Sequence, residues 1–183
     1  MNVKETKSFL TQVVLANVLR LFRVFPNNDP VMGFMLPQTR KSAWKAALFA
    51  FTTMVIFDII TMKVGVWTLV TALTYAALAV GFSLFFKKIK TTKITHYLSA
   101  SVIGILLFDL ITGPIMSSVM FSQSLLITTL GQIPFTFYHL ISGVTWVVII
   151  APVYDLDIRA QYSEYKNQVL TQIKHISNLL RLF

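Results

Sequence analysis

Apolar stretches of membrane-spanning length, most of them separated by four islands of lysine and arginine, constrain this chain more than any motif in it. The islands are Lys4/Lys7, Arg40/Lys41/Lys45, Lys87/Lys88/Lys90/Lys93, and a tail carrying Arg159, Lys166, Lys174 and Arg181. A hydrocarbon core about 30 Å thick takes roughly 20 apolar residues per crossing. Its backbone polar groups must be satisfied within the protein, so such stretches become helices. Short basic loops stay on the cytoplasmic side, which turns the islands into a topology.

The composition agrees. Of 183 residues, 55% are hydrophobic and only 13% charged, against the roughly 25% charged of soluble domains. Mean hydropathy is +0.69. The length suits one all-α membrane bundle of about six crossings. The net charge of +9 sits at span ends and not among exposed aromatics, so anionic lipid headgroups are expected as its partner and nucleic acid is not. With no cysteine, disulfides, thiolate metal sites and cysteine nucleophiles are excluded.

A first helix is expected over residues 7–25, stopped by Pro26-Asn27-Asn28-Asp29-Pro30. The apolar segment 31–37 is too short to span. It must still return the chain inward, because Arg40, Lys41 and Lys45 follow. Such a short or broken segment is tolerated at membrane depth only if buried in protein or lining a cavity. Crossings then follow over 43–62, 66–86 and 94–112, with a Met/Ser-rich segment 113–130 expected at the outer surface and a last crossing over 133–153. Both termini fall inside. Residues 1–154 form the membrane domain, and 155–183 a cytoplasmic tail. Arg20, Arg23 and Lys63 are the basic residues left on the outer side.

Phe57-Asp58-Ile59-Ile60-Thr61 recurs as Phe108-Asp109-Leu110-Ile111-Thr112, each closing an outward-going helix. The repeat places Asp58 and Asp109 at equal depth, about 20 Å from the inner ends of their helices. They are either boundary residues wetted by the interface or ligand groups facing the bundle interior. Trp67, Thr68, Thr71, Thr74 and Tyr75 on one helix and Gln132, Thr136, Tyr138 and His139 on another share this outer half. His139 is expected about 9 Å below the surface. A mostly apolar hollow with a few oriented polar groups is what a small-molecule site requires. Threonine, serine and interfacial aromatics also serve simple helix packing.

Pro26-Asn27-Asn28-Asp29-Pro30-Val31 before a short apolar segment, Val64-Gly65-Val66-Trp67-Thr68 opening a helix, and Gln132-Ile133-Pro134-Phe135-Thr136-Phe137-Tyr138-His139-Leu140 together resemble the substrate-binding S component of energy-coupling factor transporters. The resemblance covers roughly residues 8–154 in hydropathy, length and loose motifs. It implies a prokaryotic plasma-membrane protein of six helices that captures a vitamin-like solute from outside. Delivery in that family is by toppling, driven by a transmembrane coupling subunit and two ABC-type ATPases. The implied site is the loop Asn27, Asn28, Asp29 with Trp67, Tyr75, Asp109, Gln132 and His139, to which the polar-residue reading adds Asp58 and Thr136. Many members carry Ala-x-x-x-Ala on the first helix for docking the coupling subunit. Here Ala16 is followed by Arg20, and Ala43/Ala47, Ala46/Ala50 and Ala72/Ala76 repeat the spacing elsewhere. Ala16, Ala43, Ala47 and Ala50 are therefore the docking candidates.

The tail, which a typical member lacks, spaces Ile158, Tyr162, Tyr165, Val169, Ile173, Ile176, Leu179 and Leu180 helically opposite Arg159, Lys166, Lys174 and Arg181. It suits either the cytoplasmic leaflet or a partner subunit. His96, His139 and His175 form no zinc-binding pair, and no phosphate-binding loop or Gly-x-Ser-x-Gly occurs, so neither catalysis, metal nor cofactor is expected and ATP hydrolysis must come from partners. The other reading is a non-catalytic membrane scaffold resembling the rod-shape MreD proteins. That reading predicts an outer half plugged by side chains instead of a cavity.

Overall fold

The computed structural model describes residues 3–180, apart from the side chains of Leu156 and of residues 174–180. Expectations for Lys174, His175, Ile176, Leu179, Leu180 and Arg181 fall outside the described part. The elements are α1 (Val3–Leu21), α2 (Val31–Lys41), α3 (Ala43–Ile60), α4 (Val66–Phe86), α5 (Ile94–Leu110), a π-helical turn (Ile111–Ile115), α6 (Met116–Phe121), α7 (Leu125–Tyr154) and α8 (Leu156–Leu180). No strand occurs among the described residues. Four helical stretches are long and apolar enough to cross a membrane: Ala43–Ile60, Val66–Phe86, Ile94–Phe121 and Leu125–Tyr154.

The short α2 is the hub of the bundle. Val31, Met32, Phe34, Met35 and Leu36 are all buried, and the helix packs on α3, α4 and α7. A segment apolar on every side must be enclosed, and this one is enclosed by the longer helices. Gly33 makes the closest approach. A Cβ there would stand 2.7 Å from the Trp146 carbonyl oxygen on α7, so only glycine lets the two backbones meet. Asp29 starts α2, its Oδ1 accepting the Val31 N–H at 2.9 Å. A carboxylate at a helix N-terminus is favoured by the helix dipole.

Two expectations are corrected. Residues 113–130 are not a segment apart from the helices. The helix continues from α5 through the π-helical turn into α6, and α7 begins at Leu125. Gly113 and Pro114 look like a stop in sequence. Proline removes an N–H that a wider turn can do without, and a chain at membrane depth stays helical because no other partner exists for its backbone. His139 therefore lies mid-way along the 30-residue α7, about 21 Å from its start.

The second correction concerns the docking alanines. Ala16, Ala47 and Ala50 are buried inside the bundle and Ala43 is half-buried. The small side chains of Ala16, Ala47 and Ala50 are taken up by packing within this chain and present no surface to a partner. At the far end, α8 is helical as expected, and its first turns are tied to the bundle. Ile158 is buried, Gln161 Nε2 donates to the Thr92 carbonyl at 2.7 Å, and Arg40 Nη1 lies 2.7 Å from Asp155 Oδ2 and 3.0 Å from Asp157 Oδ2. Tyr97 donates its hydroxyl to the same Asp155 oxygen at 2.5 Å. Burial pushes Asp155 up, but the hydrogen bonds from Tyr97 and Arg40 and the guanidinium charge outweigh it and hold the carboxyl below its usual value.

Candidate functional site

Five helices and the loop before α2 turn polar or aromatic side chains into one cavity of about 420 Å³. Helical spacing explains how. On α7, Gln132, Phe135 and His139 recur at intervals of three and four residues. On α4, Trp67, Thr71 and Tyr75 recur every four. Met54 and Asp58 on α3, and Phe108 and Thr112 across α5 and the π-helical turn, are i,i+4 pairs of the same kind. Arg20 near the end of α1 and Asn27 and Asp29 from the loop complete the wall, with Lys63 at the rim.

A chain of hydrogen-bonding groups runs across the floor. Asp109 Oδ1 lies 2.8 Å from His139 Nδ1, and His139 Nε2 lies 3.0 Å from Asp29 Oδ2. The Tyr75 hydroxyl donates to that same Asp29 oxygen and stands 3.4 Å from His139 Nε2. Asp29, Asp109 and His139 are 4%, 1% and 2% exposed, so water does not solvate them. Ionised carboxylates only accept. Both ring contacts are hydrogen bonds at once when His139 is the imidazolium. In that state, with Arg20, it balances the two buried carboxylates, the arrangement in which buried charge is tolerated. Asp29 is held further by its backbone N–H, which donates to Ser142 Oγ at 2.8 Å. Phe108 stacks on Tyr75 with ring centroids 4.2 Å apart and meets His139 edge-on.

Arg20 places its guanidinium 4.0 Å over the Phe57 ring and Nη1 3.1 Å from Met54 Sδ. Its Nε, Asn27 Nδ2 and Asp109 Oδ2 are buried without a hydrogen-bond partner. Buried polar atoms are rarely left so. Two of these three atoms are donors on residues lining the cavity. Trp67, Phe108 and Phe135 supply the aromatic part of the same wall. Among the described residues no three His, Cys, Asp or Glu side chains converge as a metal ion would require. Asp109, His139 and Asp29 form a line, with the ring between the carboxylates.

Of the ten proposed site residues, Asn27, Asp29, Asp58, Trp67, Tyr75, Gln132 and His139 line this cavity, joined by Thr71 of the wider polar cluster. Three do not. Asn28 braces α1 to α7, its Nδ2 donating to the Leu19 carbonyl at 2.5 Å and its Oδ1 accepting from Trp146 Nε1 at 2.6 Å. Thr136 falls on the other flank of α7, in a shallower hollow between α5 and α7. Asp109 borders that hollow too and acts on the main cavity by holding His139 from behind. The repeat is also unequal. Asp109 is buried and bonded, whereas Asp58 is half-exposed at the rim. The two phenylalanines beside them do correspond, since Phe57 takes the guanidinium and Phe108 the Tyr75 ring. Phe108, Phe135 and Ser142 were missed, and Arg20, read only as a charge on the outer side that would suit an anion, was not placed in the site. Ser142 could have been found three residues beyond His139 on the same face. Arg20 announced itself as a charge in an apolar helix, which needs a partner.

No protein-family model, curated protein or solved structure matches this chain.

Proposed function

We propose that the chain is a membrane-embedded solute-binding subunit that captures a vitamin-like small molecule from outside the cell, as the S component of an energy-coupling factor type transporter does. One observation carries the reading. The 420 Å³ cavity falls within the range of small-molecule sites and joins aromatic walls to buried polar groups that lack partners. A scaffold protein would have that space plugged by side chains.

In this proposal α1, α2, α3, α4, the continuous α5–α6 rod and α7 are the six membrane-embedded helices of residues 1–154. Both termini and the 155–183 tail lie at the cytoplasmic face of a prokaryotic plasma membrane. Energy comes from a transmembrane coupling subunit and two ABC-type ATPases, and the chain itself catalyses nothing. The coupling subunit docks elsewhere than on Ala16, Ala47 and Ala50, which the bundle has used.

The test is native mass spectrometry of the purified chain together with thermal-shift screening against water-soluble vitamins and their precursors. A small molecule that is retained by the parent and lost from His139→Ala, in a variant that still folds, is the expected result. A parent that carries no small molecule and shifts with no member of the panel overturns the proposal.

A further inference from the structure

A second feature lies on the opposite flank of α4 and is independent of the solute site. A groove of about 650 Å³ runs between α4 and α5, walled by Leu73, Ala77, Gly81 and Phe85 on one side and by Ile103 and Leu107 on the other. Leu73, Phe85, Ile103 and Leu107 are exposed to the surroundings of the bundle. Gly81 leaves open space, since a Cβ placed there meets no atom within 4 Å. From Leu73 to Phe85 the groove is about 18 Å long by helical rise, close to the roughly 15 Å of hydrocarbon in one leaflet.

What lies at its end decides the occupant. Immediately beyond Phe85 and Phe86 comes the loop into α5 with Lys87, Lys88, Lys90 and Lys93, all exposed. Among the described residues none of the four is in an ion pair. A transmembrane helix laid in the groove would fill the apolar part and leave this charge unanswered. An anionic phospholipid answers both, with one acyl chain along Leu73 to Phe85 and the phosphate among the lysines. Juxtamembrane lysines attract anionic lipid additively.

We propose that the α4/α5 groove and the lysine loop form one binding site for an anionic glycerophospholipid. Native mass spectrometry of the full chain in detergent, titrated separately with phosphatidylglycerol and with phosphatidylcholine of the same acyl chains, tests it. The parent should retain phosphatidylglycerol under activation that strips phosphatidylcholine. Gly81→Phe should fill the groove and weaken retention, and Lys88→Gln with Lys90→Gln should lower the preference on the order of tenfold. Circular dichroism checks that Gly81→Phe is folded, and Ala77→Leu blocks the same channel if it is not. Equal retention of the two lipids overturns the proposal, as does a folded, groove-filled variant that holds phosphatidylglycerol like the parent. It is also overturned if the parent retains a polypeptide in place of lipid and Gly81→Phe releases it.

Discussion

The line Asp109–His139–Asp29 should behave as one energetic unit, and a double-mutant cycle can measure that. In His139→Ala, the carboxylate of Asp109 loses the partner of its Oδ1 at 2.8 Å while its Oδ2 already has none. Removing one partner of a buried pair in this way costs about 3–5 kcal/mol. Asp29 suffers less, because the Val31 N–H and the Tyr75 hydroxyl still donate to it. In Asp109→Ala, the ring loses one charge-assisted bond but can give up its proton, for a loss of about 2 kcal/mol. In the double variant the stranded carboxylate is gone, so the combined loss should fall short of the sum by roughly 2 kcal/mol, within the range that contacting residues show. Unfolding of the chain in mixed micelles by increasing dodecyl sulfate, followed by tryptophan fluorescence, supplies the four free energies. Trp146 reports well because it is buried and bonded to Asn28. Additivity within about 0.5 kcal/mol would refute the claim that these side chains act together.

Other outcomes can be checked alongside. Gly33→Ala should destabilise by about 1–3 kcal/mol, as overpacking does, because its Cβ meets α7 backbone, whereas Gly131→Ala, with nothing within 4 Å, should not; thermal unfolding in detergent compares them. The folded Asp155 carboxyl is held below its usual value. Its contribution is therefore present above the unfolded pKa of about 3.9 and is lost as pH falls through the lower folded value. Exchange protection around buried Ile158 should drop in that acid range in the parent. In Asp155→Asn the acid step should vanish. In a chain with no native cysteine, a cysteine at Gln123, between α6 and α7, should react with an impermeant thiol reagent in intact cells, and one at Thr91 should not; labelling at Thr91 from outside would reverse the proposed orientation.

Helix positions were readable wherever apolar length decided them, and misread where a breaker residue competed with the membrane. Gly113-Pro114 in a soluble chain would end a helix, but at membrane depth the backbone has no other partner, and a wide turn absorbs the proline. That single misreading moved the start of the last helix from Leu125 to 133. The site residues were legible as types, since ionisable and hydrogen-bonding groups in an apolar chain stand out. Their pairing was not. That Asp29 of the loop meets His139 depends on α2 being buried against α7 at Gly33, a contact between residues 113 positions apart. The docking alanines failed for a related reason. Small-x-x-x-small spacing marks close approach of some helix, and only the packing reveals that the helix belongs to the chain itself.

Two readings of the buried charges compete, and the structure bears on the choice between them. As mere helix glue they would be poor material, because well-packed apolar side chains of similar volume hold a bundle as well or better than a buried ion pair. The bundle already has such packing in α2 and in the small residues Ala16, Gly33, Ala47 and Ala50. The charges are also not spread through that packing. Asp29, Tyr75 and His139 all border the same cavity as Arg20, whose Nε has no partner, and Asn27 on the same wall repeats the deficit. A network meant only to join helices would close on itself. This one leaves Asp109 Oδ2 unpaired beside His139, and Arg20 Nε and Asn27 Nδ2 unpaired on residues that wall the cavity. Unmade bonds of this kind fit the solute site proposed above better than helix glue, because a bound ligand would supply the partners that the protein lacks.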